Sequence, residues 1–132
     1  MPVSDPVSDM LTRIRNAQLV RHPVIELPSS KTNVSVAEVL LKEGFLQDLE
    51  VVNQRPQNRL RLRLKYVDGR KPVISGLKRV SKPGLRIHVN RREVPRFYGG
   101  IGISIVSTSQ GIMTGQEAWR KGLGGELMCY VW

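Results

Sequence analysis

The sequence is poor in the residues that most enzyme chemistry draws on. Its 132 residues include one cysteine and two histidines. A single thiol, Cys129, excludes an internal disulfide framework and a cysteine-rich zinc site. Its neighbours Leu127, Met128, Tyr130 and Val131 are apolar, so it reads as a buried strand thiol compatible with a reducing compartment. No stretch approaches the roughly 18 apolar residues of a membrane helix, and Asp5 and Asp9 stand where a secretory leader would carry cations. The expectation is a soluble chain with no membrane association and no targeting segment. His22 precedes Pro23 in a turn and His88 lies in an expected strand, each without a triad-like partner. Without ligand spacing or an activated nucleophile, neither a metal, a cofactor nor an enzymatic activity is expected.

Acidic side chains are also scarce, 11 against 21 basic ones, for a net charge of +10. The excess is concentrated. From Arg55 to Arg96 lie 14 of the basic residues, among them Arg55, Arg59, Arg61, Arg63, Lys82 and Arg86, with only Asp68 and Glu93 against them. Such an asymmetric block is the electrostatic footprint of a polyphosphate partner, whereas a charge spread evenly would read as a solvated surface. With 40% hydrophobic residues there is still enough apolar material to fold.

The expected fold class is α+β in two small domains. Asp5-Pro6 caps a first helix whose Val7, Met10, Leu11, Ile14 and Ala17 form one apolar face, with Arg13 and Arg15 flanking it. Val24 to Leu27 reads as a strand, Ser29-Ser30 as the cap of a helix through Lys42-Glu43, and Gly44 as its stop. The alternation Arg59-Leu60-Arg61-Leu62-Arg63-Leu64-Lys65-Tyr66 predicts a half-buried antiparallel strand paired with Phe45 to Val52. Asp68-Gly69-Arg70-Lys71-Pro72 is the expected linker, dividing an α-β-α-β-β domain over residues 1–67 from a mainly antiparallel β domain over 68–132. In the latter, strands are expected at Val73–Leu77, Leu85–Val89, Ile101–Val106 and Glu126–Val131, with a turn at Lys82-Pro83-Gly84 and a short helix capped by Thr114 and ended by Gly122.

Two glycine-rich segments superficially match nucleotide motifs. Gly99-Gly100-Ile101-Gly102 precedes a strand and lacks the lysine of a phosphate loop, so turn glycines explain it. Gly122-Leu123-Gly124-Gly125 fits a GXXG loop, but that loop joins two helices and this one leads into a strand. Ser107-Thr108-Ser109-Gln110-Gly111, between an apolar strand and a capped helix, reads equally as turn chemistry or as a set of neutral donors and acceptors for phosphate, ribose and base edges.

Several long segments together resemble the S-eight family of small-subunit ribosomal proteins, bacterial or plastid type. They are Asp5 to Ala17, Pro28 to Lys31, Leu41 to Phe45, Lys78 to Arg86, Ser107 to Gly111 and Gly122 to Glu126, which span nearly the whole chain. The resemblance implies a structural constituent of the small ribosomal subunit that binds the central domain of its rRNA directly and helps assembly. It also implies neighbouring ribosomal proteins as partners, repression of translation of its own operon through its mRNA in several bacteria, a monomer when free, and a ribosome in a bacterial cytoplasm or plastid stroma. The RNA-binding residues it implies are Ser107, Thr108, Ser109, Gln110, Gly111, Gly124 and Glu126, joined by Lys31, Arg86 and His88. Arg13, Arg55, Arg59, Arg61, Arg63 and Lys82 are expected as supporting phosphate contacts. His88 stands where the family commonly has tyrosine, and Gln110 where it commonly has lysine or arginine. Because the hydroxyl segment lies outside the cationic block, the expectation is a division of labour in which the block supplies affinity and the neutral segment reads local shape. The competing reading is a protein–protein scaffold within a ribonucleoprotein, without primary RNA contact.

Overall fold

A computed structural model describes residues 5–132. It is α+β, built of helices and antiparallel sheets, and divides into two compact units, the first running to Ile74 and the second spanning Ser75–Trp132.

In the first unit, α1 (Pro6–Leu19) begins on Asp5, whose carboxylate accepts from the Ser8 N–H, and it buries Val7, Met10, Leu11, Ile14 and Ala17 as the apolar spacing predicts. β1 (Val24–Pro28) leads to α2 (Lys31–Lys42). Ser30 and Asn33 cap α2 reciprocally, each side chain accepting from the other's backbone N–H. Gly44, at φ +85°, ends the α2 segment, and Phe45 folds back and is buried. β2 (Leu46–Val52) and β3 (Arg59–Leu64) complete a three-stranded antiparallel sheet in the order β1-β3-β2. Leu60, Leu62 and Leu64 are buried, so the Leu/Arg alternation does sort one strand into two faces.

The open edge of β1 is covered locally. The Arg13 guanidinium donates to the Glu26 carbonyl at 3.2 Å, and the His22 imidazole hydrogen-bonds the Val24 carbonyl at 2.7 Å. Pro28 offers no N–H. Edge strands blunted in this way resist pairing with a second chain.

The expected strand over residues 59–66 stops at Leu64. Tyr66 joins Val67 in β4 (Tyr66–Val67), a short hairpin with β5 (Lys71–Pro72), and donates its hydroxyl to the His22 carbonyl at 2.7 Å. Asp68 and Gly69, both at positive φ, form the turn of this hairpin.

The second unit contains β6 (Leu77–Arg79), β7 (His88–Val89), β8 (Phe97–Tyr98), β9 (Gly102–Thr108), β10 (Gly111–Thr114), α3 (Gly115–Arg120) and β11 (Gly125–Val131). The main path of its six-stranded sheet is β10-β9-β11-β6, with β7 on β11 and β8 on β9. Val94, Val106, Met113, Ala118 and Leu127 form the core beneath α3. Cys129 is a buried thiol, as its apolar neighbours suggest.

Three expectations for this half need correction. Of Val73–Leu77 only Leu77 lies in a strand, as the first residue of β6, because the hydrogen bonds before it are divided: the Val73 N–H goes to the Lys65 carbonyl and the Ser75 and Gly76 N–H groups to the Trp132 carbonyl, so no single ladder runs through residues 73–76. Leu85–Val89 shrinks to His88–Val89, since the Ile87 N–H is taken by the Ser81 hydroxyl instead of a neighbouring strand. Finally, Ser107–Gly111 is not a loop. Ser107 and Thr108 end β9, only Ser109 and Gln110 form the turn, and Gly111 opens β10.

Candidate nucleic-acid interface

Strand register gathers residues that are far apart in the sequence. His88 on β7 pairs with Glu126 on β11, and Glu126 pairs with Ser107 on β9. Paired residues share a sheet face, so the three side chains lie in one row. Ile112 on β10, paired with Ser107, extends that row by one apolar position. Leu127, Val106 and Met113, each one residue along, point the opposite way into the core.

Arg86 joins the row through Glu126. Its guanidinium lies 3.2 Å from the carboxylate, and the carboxylate side chain is only 20% exposed. The acid in the row is therefore balanced by a cation of the same unit. It keeps lone pairs for base amino groups or ribose hydroxyls.

The Arg86–His88 segment is held in place by Ser81. This hydroxyl is fully buried; it donates to the Leu127 carbonyl at 2.7 Å and accepts from the Ile87 N–H at 2.9 Å. On the far side of the row the hairpin turn is braced by Thr108, whose hydroxyl donates to the Gly111 carbonyl at 2.7 Å and accepts from the Gln110 N–H at 3.1 Å. The Ser109 and Gln110 side chains at the tip are exposed.

Two glycines set the spacing. A methyl on Gly125 would collide with the Ser107 carbonyl, and one on Gly124 would sit 2.9 Å from the Arg91 nitrogen. Bare backbone at both positions lets β11 approach β9 and the chain after β7 closely enough for the row to form. Among the described residues no group of His, Cys, Asp and Glu is arranged to hold a metal ion.

The pattern of the family described as Ribosomal protein S8 matches residues 5–132. The chain belongs to the ribosomal protein S8 family. It is 53% identical to the small ribosomal subunit protein uS8 of Roseiflexus castenholzii over the full length of both chains. The same full-length coverage holds for the uS8 proteins of Caldanaerobacter subterraneus, at 54% identity, and Clostridium acetobutylicum, at 52%. S8 proteins are structural, non-enzymatic ribosome components, and this chain is one of them.

Within this S8 chain the implied RNA-binding residues fall into separate groups. Arg86, His88, Ser107 and Glu126 meet in the row, Gly124 packs beside it, and Thr108, Ser109, Gln110 and Gly111 make the adjoining turn. Lys82 lies in the exposed turn that leads to Arg86, closed by the paired Lys82 and Leu85 backbones. Lys31, Arg13, Arg55, Arg59, Arg61 and Arg63 belong to the first unit. Lys31 is the exposed first residue of α2.

The cations of the first unit are not equivalent. Arg61 is held between Glu26, at 2.6 Å, and Glu50, at 3.5 Å, which flank it on β1 and β2. The hydrogen bond to Glu26 first, and then its charge, raise the Arg61 pKa above its ordinary value. Arg13 pairs with Asp9 at 2.9 Å. Among the described residues Arg55, Arg59 and Arg63 form no ion pair, so their charges are not neutralised by a neighbouring carboxylate.

The residues overlooked in the sequence are Ser81 and Ile112. Ser81 gives no local signal, because its partners lie six and 46 residues away. Ile112 had one: Gly111 to Thr114 follows a two-residue turn and carries the β-branched Ile112 and Thr114 of a returning strand.

Proposed function

We propose that this chain binds the central domain of small-subunit rRNA directly, through the His88–Glu126–Ser107 row and the Ser109–Gln110 turn, and so helps the subunit assemble. The observation that carries this reading is the cross-strand register, which places three of the implied contact residues side by side on one face. The donors and acceptors there are short, locally braced and mostly neutral. Such a surface suits recognition of one folded RNA shape at close range better than general attraction to a polyanion. General attraction is supplied by the unpaired cations, Arg59 and Arg63 in the first unit among them. The two units act as separate domains, the second carrying recognition. A message that folds into a similar shape would occupy the same face, which is how the protein represses its own operon. It acts as a monomer on cytoplasmic ribosomes, beside neighbouring small-subunit proteins.

The test is filter binding of the pure protein to a central-domain rRNA fragment and to a plain duplex of equal length, across a range of salt. Ser107→Ala is expected to reduce the preference for the rRNA fragment while leaving the salt dependence unchanged, whereas Glu126→Gln is expected to reduce the preference and, by releasing Arg86 from its ion pair, to steepen the salt dependence. If the pure protein shows no preference for the fragment, the chain is a scaffold that meets proteins first, and the reading fails.

A further inference from the structure

The side of the second unit away from the Ser107 row carries a different chemistry. α3 covers that side, since Ala118 packs with Val106, Met113 and Leu127. Next to Ala118, Trp119 remains 48% exposed. An indole left half in water is unusual for a side chain whose main contribution is buried area. The ring is nevertheless held: the Arg96 guanidinium lies over it, 4.5 Å from the centroid. Arg96 is itself exposed, and its neighbour Phe97 is 53% exposed. Arg120, beside Trp119, is exposed, and neither Arg96 nor Arg120 forms an ion pair among the described residues. Lys121, by contrast, is engaged by Glu117 at 3.5 Å.

A planar cation stacked on an exposed indole offers a flat π surface and positive charge in the same place. An apolar partner covering Trp119 would have to desolvate Arg96 without replacing its hydration. An acidic peptide would answer the charge but not the flat surface. A nucleobase followed by its phosphate answers both. We propose that Arg96 and Trp119 form a stacking platform for an unpaired RNA nucleotide, with Arg120 taking the adjoining phosphate. This site goes beyond the shape-reading row, because it accepts a single strand and lies on the other side of the sheet.

The probe is fluorescently labelled decaadenylate, added to the full chain at low salt and followed by anisotropy. Trp119→Ala is expected to weaken binding about tenfold, as loss of one base-stacking contact does, while Trp119→Phe retains most of it. In a Trp132→Phe background, where Trp119 is the only indole, decaadenylate is expected to quench the fluorescence. Inorganic polyphosphate of equal charge is expected to leave that fluorescence unquenched. The proposal is overturned if Trp119→Ala binds decaadenylate as the parent does, or if a glutamate-rich peptide quenches Trp119 and decaadenylate does not. Ser107→Ala is expected to leave decaadenylate binding unchanged, and Trp119→Ala to leave the preference for the rRNA fragment over duplex unchanged. Failure of the platform therefore reads separately from failure of the row.

Discussion

Replacing Ser81 with alanine removes the oxygen that ties the Arg86–His88 segment to β11. Ser81 is fully buried, and its hydroxyl joins the Ile87 N–H at 2.9 Å to the Leu127 carbonyl at 2.7 Å. Stranding a buried polar group costs about 1–3 kcal/mol. The Ile87 N–H sits in a half-buried residue that water can approach, and the buried Leu127 carbonyl loses one acceptor contact, which carbonyls tolerate better than N–H groups do, so the lower end of that range applies to each and the expected loss is about 2 kcal/mol. For a chain of this length, with an unfolding entropy of about 2 cal/mol/K per residue, that corresponds to a fall in melting temperature of roughly 7 °C. Calorimetry of the parent and Ser81→Ala proteins measures it. Because the same hydroxyl ties the segment bearing Arg86 and His88 to β11, affinity for the rRNA fragment is expected to fall as well, at temperatures where the variant is fully folded. A loss of stability below about 0.5 kcal/mol, the level of an ordinary surface substitution, would refute the assignment of Ser81 as the fastening of this segment.

Three further outcomes are expected. Gly125→Ala forces β11 away from the Ser107 carbonyl, at a cost of about 1–3 kcal/mol of stability by denaturant unfolding, and it misaligns Glu126 with Ser107 so that rRNA preference falls even in the folded fraction. Arg59→Ala and Arg63→Ala are each expected to lower the slope of log affinity against log salt by about one, whereas Arg61→Ala, whose charge is already met by Glu26 and Glu50, lowers it less; equal slopes for all three would refute the pairing. Burial raises the pKa of Tyr66 and of Tyr130, with Tyr98 adding to the second. Each phenol thus keeps its proton longer in the folded state, so the stability it contributes is intact below the unfolded value near 10 and declines as pH rises through the folded one. Tyr130→Phe is expected to flatten that alkaline decline in a pH series of thermal melts.

The local signals were reliable where a single element carries its own instructions. Asp5-Pro6, Ser30 and Gly44 set helix ends through caps and a left-handed turn, and the Leu/Arg alternation from Arg59 to Leu64 sorted a strand into a buried and an open face. They misled where a segment divides its hydrogen bonds. Val73–Leu77 has strand composition, yet its N–H groups go to Lys65 and Trp132. The hydroxyl run suggests a turn throughout because serine and threonine suit turns, but both residues also tolerate the last positions of a strand, and pairing with Gly125 and Glu126 keeps Ser107 and Thr108 in β9. Segment matches to the S8 family imply a set of RNA-binding residues without showing which of them lie side by side.

Composition and pattern by themselves determined the cationic block, the helix caps and the two-faced strand. These depend on residues within a few positions of one another, or on totals. Which cations remain free, which residues share the row and what fastens it were decided only by tertiary structure. Arg61 looks like Arg59 and Arg63 along the chain and differs because Glu26 and Glu50 arrive on neighbouring strands. His88, Ser107 and Glu126 become neighbours through strand register, and register is fixed by hydrogen bonds between segments that the linear order keeps apart.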